Sequence, residues 1–190
     1  MVLTQLLLLN NLNNTIMKRL YLLLSLLIVS LSVSAAPALK VKTGNWLSLL
    51  SDNASVCVVF DYTQATWEEG ESYEKFCGET YKARTEASVS DFITSFNDIS
   101  NGLKMTNSSE DAKYKMIFRI NNLERKQGMS MWGRFFIRIY GEIEIIDIAS
   151  NEVVCSIIVN GHAGGDDFVP EDRLSKCFKA LAEKLIKLKK

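Results

Sequence analysis

The side chains that could do chemistry are few, and most stand apart from one another. His162 is the single histidine among 190 residues. It lies in the run Asn160-Gly161-His162-Ala163-Gly164-Gly165-Asp166-Asp167, whose glycines read as a flexible loop at the end of a strand. A histidine there titrates near neutrality and would act as a general base, with Asp166 or Asp167 orienting its ring, as in a hydrolase. The nucleophile that such a pair would activate has no motif here: no G-x-S-x-G elbow or equivalent occurs. A loop histidine without a catalytic role is the plainer reading, and no residue is assigned to catalysis.

The glycines of the same run, followed by a helix, invite comparison with a phosphate cradle. Their spacing matches neither G-x-G-x-x-G nor the P-loop, and two adjacent aspartates would repel phosphate. The carboxylates of Asp166, Asp167, Glu171 and Asp172 have the hard oxygen ligands that calcium prefers, but not the spaced D-x-D-x-D-G pattern, so they read as acids at a helix amino terminus. Glu142 and Glu144, two apart on one strand, could pair as acid and base; alternating with isoleucines, they fit the solvent side of a sheet. Cys57, Cys77, Cys155 and Cys177 form no C-x-x-C or Cys/His cluster. An even number in an exported chain permits disulfides in three connectivities, whereas their apolar settings suit buried thiols. No metal and no cofactor is expected.

One stretch resists a bland reading. Gln127-Gly128-Met129-Ser130-Met131-Trp132-Gly133 is apolar for a hairpin connection. Met129, Met131 and Trp132 beside flexible glycines offer an adaptable contact for a protein partner or a second copy. The competing reading folds this loop back over the sheet. Arg125, Lys126 and Arg134 flank it. Trp67 or Trp132, if exposed, would instead suit a glycan or small ligand.

These residues hang on a framework set by hydrophobic period. Tyr114, Met116, Phe118 and Ile120 alternate with Lys115, Ile117, Arg119 and Asn121; Phe135, Ile137, Ile139, Ile143 and Ile145 alternate with Phe136, Arg138, Tyr140, Glu142 and Glu144. With a third run over 153–159, this predicts a three-strand meander, one face packed and the other wet. Upstream, 36–43 reads as an extended lead-in and 44–52 as one helical turn or a short apolar clamp containing Trp46. Val56–Tyr62 is a strand. A helix is expected over 66–84, weakened by Gly70 and Gly78, then a second one capped by Ser88 or Ser90, with Phe92, Ile93, Phe96, Ile99 and Leu103 on one face and Asn101-Gly102 at its end. Residues 105–111 read as a polar loop. A last helix follows Pro170, burying Leu174, Cys177, Phe178, Leu181, Leu185 and Leu188. The order β-α-α-β-β-β-α predicts an α+β fold: a two-layer sandwich, mainly antiparallel sheet, with helices on one face.

The first 35 residues are set apart from that fold. Met17-Lys18-Arg19 is a basic start, Leu20 to Val33 an apolar run interrupted only by serines, and Ser34-Ala35-Ala36 a small-residue exit: a secretory signal peptide, with Met17 as its start and 1–16 as an upstream extension. An uncleaved amino-terminal membrane anchor is the alternative, and the only membrane contact expected; no cysteine follows the apolar run to carry a lipid. Residues 36–190 then form a single α+β domain. Removing Lys18 and Arg19 from a chain with 22 basic and 22 acidic residues leaves a formal charge of −2. That balance, with no long basic stripe, argues against nucleic acid as a partner.

The strand end Val58-Val-Phe-Asp-Tyr62, the stretch Ile145-Ile-Asp-x-x-x-Asn-Glu-Val-Val154 and the helix start Glu171-Asp-Arg-Leu174, taken with the element order, resemble exported Bacteroidetes α/β domains of unknown function. These are similar to the amino-terminal domain of TolB-type periplasmic proteins and to curli-secretion-type lipoproteins. The resemblance covers most of residues 36–190 and implies a scaffold or assembly part of a Gram-negative cell envelope, periplasmic or on the outer surface, with no catalytic residues to transfer. The chain departs from the lipoproteins in lacking their lipid-bearing cysteine. Together these readings point to a non-enzymatic exported protein that binds another protein or itself; a hydrolase using His162, and a glycan binder, are the alternatives.

Overall fold

Alternation at a period of two sends every second side chain of a strand to one face, and the three long strands obey it. In the computed structural model, which describes residues 37–68, 70–127, 135–167 and 170–188, Met116, Phe118, Ile139, Ile143, Ile145 and Ile157 are all fully buried. They belong to β6 (Tyr114–Gln127), β7 (Phe135–Asp147) and β8 (Glu152–Asp167), which pair antiparallel in sequence. Lys115, Arg119 and Asn121 stand on the other face, exposed.

The earlier elements complete the sheet on both sides. The lead-in is a true strand, β1 (Leu39–Gly44), lying antiparallel on β8. A short helix α1 (Trp46–Leu50) follows, its amino terminus capped by Asn45, which accepts from the Ser48 amide at 3.2 Å. Then β2 (Ser55–Asp61) runs parallel to β6, and β5 (Lys104–Thr106) runs parallel to β2. The resulting order is β1-β8-β7-β6-β2-β5, with the small hairpin β3 (Thr66–Trp67) and β4 (Glu71–Ser72) attached to β6. So the lead-in and part of the loop expected over 105–111 are edge strands of the sheet.

The helical layer keeps its place and shifts its boundaries. The helix expected over 66–84 begins only at Tyr73: α2 (Tyr73–Cys77), then a 3-10 turn at Gly78–Thr80, then α3 (Tyr81–Ile99). Gly70, at φ +90°, makes the preceding hairpin turn and stops a helix from starting there. Ser88 and Ser90 are not caps but lie inside α3; the Ser88 hydroxyl donates to the Arg84 carbonyl one turn back, at 2.7 Å. The helix closes at Ile99, where Ser100 donates its amide to Phe96 and its hydroxyl to Leu103. Ile99 is consequently exposed, while Leu103, beyond the helix, is buried.

α4 (Pro170–Ile186) buries most of the expected stripe, with Cys177, Phe178, Leu181 and Leu185 all inaccessible to solvent, whereas Leu188 falls beyond the end of the helix and is half-buried. Phe178 and Phe60 meet in a tilted pair at 5.0 Å between centroids, and Phe60 meets Phe92 of α3 and Phe118 of β6 edge-on. One hydrophobic cluster therefore joins helices and sheet. Trp46 ties the amino-terminal end to it, its indole donating to the Leu185 carbonyl at 2.7 Å. The architecture is the expected α+β type: an open, mixed to antiparallel sheet with a helical layer.

Candidate functional site

The loop expected around His162 does not exist: β8 continues through it to Asp167. Gly161, at φ +65°, sits at a register shift against β7, so Asn160 pairs with Tyr140 and His162 with Ile139. Gly164 serves a different need. A Cβ there would lie 2.9 Å from the Cys177 Cα and 3.1 Å from the Ala180 Cβ, so this glycine lets α4 press onto the strand. The glycines that suggest a loop thus pay for a bulge and a close helix crossing. His162 points, like its partner Ile139, into the core and is 3% exposed. Neither ring nitrogen has a hydrogen-bond partner. Burial, helped by the charge of Lys184, pushes its pKa down to about 4. A neutral imidazole walled off from solvent offers no base to a substrate. Asp166 and Asp167 continue the strand, and their side chains, like those of Glu171 and Asp172, lie outside the described residues.

Other candidates fare variously. Glu142 and Glu144 do share the open face of the sheet, where each meets a cation: Glu142 bonds Lys42 at 2.9 Å and Glu144 bonds Arg119. Trp67 stacks on Phe76 at 4.2 Å with rings 14° from parallel, so one of its faces is already taken. All four cysteines are buried and free. Burial pushes the Cys155 thiol up to about 11 and the Cys177 thiol up to about 12, away from the reactive thiolate. Met129, Met131 and Trp132 lie outside the described residues.

A site that the linear pattern did not single out is assembled by the topology at the β1 end of the sheet. The Asn160 amide donates to the Ala38 carbonyl at 2.9 Å, and Leu39 stands opposite Val159. In an antiparallel ladder residues bond their neighbour alternately. Ala38 and Lys40 therefore turn their backbone groups toward β8, and Leu39 and Val41 turn theirs outward, where no described strand receives them. Along this edge runs a groove of about 800 Å³, lined by residues 37–44 and by Lys184, Lys187 and Leu188 from the end of α4. Lys40, opposite Ile158, belongs to the open face of the sheet, as does Lys42, through Glu142; Lys184 and Lys187 come from the helix on the other side. Lys42 and Lys187 have carboxylate partners, Glu142 and Glu183; Lys40 and Lys184 have none among the described residues. A strand-length hydrogen-bonding edge between two pairs of lysines can receive an extended chain. The signal in the sequence was weak: a lysine-bearing extended stretch, and lysines spaced along a helix end 140 residues later.

A second groove, of about 710 Å³, lies between α3 and the β2–β5 edge, lined by Phe60, Val89, Ile93 and Met105 among others. Among the described residues no helix is long and apolar enough to cross a membrane.

No protein-family model matches the chain, and no curated protein does. Among solved structures it is similar to the PelC dodecamer from Paraburkholderia phytofirmans, at 13% identity and a TM-score of 0.43, over 77% of this chain and 97% of that one. The L103M form of the same dodecamer gives 14% and 0.42, over 80% and 98%. Protein XCC0632 from Xanthomonas campestris, of the family model DUF330, gives 9% and 0.40, over 72% and 83%.

Proposed function

We propose that this chain is an exported cell-envelope protein whose domain works as a non-enzymatic interaction or assembly module, taking a protein segment at the free edge of β1. The observation that carries this reading is the outward row of backbone groups at Leu39 and Val41 beside a groove long enough for a strand. Export rests on the basic start at Lys18-Arg19, the apolar run to Val33 and the small-residue exit at Ala35. The Met129, Met131 and Trp132 stretch, which follows β6 in the chain, is kept as a second contact surface.

A photo-activated cross-linker at position 42, beside the edge, tests the reading in cells, with position 115 on the open face of the sheet as the comparison. The expected result is an adduct from 42 in the envelope fraction that disappears in a Val41→Pro background. Equal adducts from both positions, or an adduct indifferent to the proline, would count against the edge. Amino-terminal sequencing of the purified product should read from Ala36; a product starting at Met1 or Met17 would sink the cleaved-signal part.

A further inference from the structure

Resting on that reading, we infer that the occupant of the β1 groove is an extended acidic segment of a partner protein, rich in Asp and Glu. Strand addition supplies affinity through main-chain hydrogen bonds and leaves specificity to side chains on either side of the new strand. Successive residues of an incoming strand point to opposite faces. On one face they would meet Lys40 and Lys42, on the other Lys184 and Lys187. Carboxylates on both sides of the pleat would then each reach an ammonium group, and Lys40 and Lys184 have no other carboxylate among the described residues. Val41 and Leu188 also line the groove and give an apolar contact to an occasional β-branched side chain between the acids.

Lysines on an edge also guard it against like edges. Two copies of β1 laid side by side would bring the ammonium groups of Lys40 and Lys184 together, which disfavours self-pairing of β1 as the occupant. The opposite edge of the sheet is no better match: its groove carries one acid, Glu86, already beside Lys82. An acidic partner remains.

The test uses the product purified from expression of the full chain and a blocked peptide of sequence Thr-Glu-Val-Glu-Glu-Val-Glu-Thr. Two controls are the same peptide with Lys for Glu and the acidic peptide N-methylated at alternate amides. Calorimetry should show binding of the acidic peptide, weakened about tenfold by Lys40→Glu with Lys184→Glu and further by salt at about 0.5 M. Hydrogen exchange should slow at the Leu39 and Val41 amides, and the N-methylated peptide should not bind. Because Val41→Pro could disturb packing, the N-methylated peptide serves as the variant that leaves the protein untouched. If the lysine peptide protects those amides as well as the acidic one, the edge reading stands and the acidic inference falls. If neither protects them, both fall, and the lysines only guard the edge. Binding to phosphatidylglycerol vesicles that the acidic peptide does not displace would assign the lysines to a membrane surface and overturn the proposal.

Discussion

His162 shows how far burial can carry a titrating group from its usual role. Its ring is enclosed by the core, its pKa falls from 6.5 to about 4, and the unfolded chain therefore takes up the proton first. Stability is full above pH 6.5, erodes as the pH falls from there to about 4, and changes no further through this group below that. The shift corresponds to a loss on the order of 3 kcal/mol. Thermal melts from pH 7 to 4 should show this slope, and His162→Leu should flatten it; an unchanged slope would assign acid lability to carboxylates instead. Gly164 lies two residues on, and its test is steric. Gly164→Ala places a methyl group 2.9 Å from the Cys177 backbone and should cost about 1–3 kcal/mol in denaturant unfolding.

At the level of elements, the decisive change is at the start of α3. A serine that caps a helix loses about 1 kcal/mol on replacement by alanine, whereas an exposed interior serine gains up to about 0.5 kcal/mol. Ser90 is exposed within α3, so Ser90→Ala should leave the unfolding midpoint unchanged or raise it slightly; a fall would restore the two-helix reading. The strand periodicity of β6, β7 and β8 was legible because their large apolar side chains are buried mainly on one face, although β8 also buries Ser156 on the other. The glycine-rich end of β8 was not, because glycine marks a loop, a bulge and a close helix crossing alike, and only the position of α4 tells them apart.

For the molecule as a whole, one core joins the helical layer to the sheet, and four thiols sit within or beside it without pairing. Reducing agent should therefore leave the melting temperature unmoved, and a thiol reagent should count four groups only after denaturation. A drop in melting temperature with reductant would reveal a disulfide. The same global arrangement creates the edge groove, since β1 and the end of α4 lie far apart in the chain and meet only once β8 is paired on both sides.

Period, composition and segment ends were enough to establish a layered α+β domain with one wet sheet face, because burial on a single face is written into alternate residues. Which glycines bend the chain, which histidine is hidden, and where backbone groups unpaired among the described residues meet four lysines were decided by folding alone. Those properties depend on what packs across from each residue, and a neighbour 140 positions away leaves no local trace.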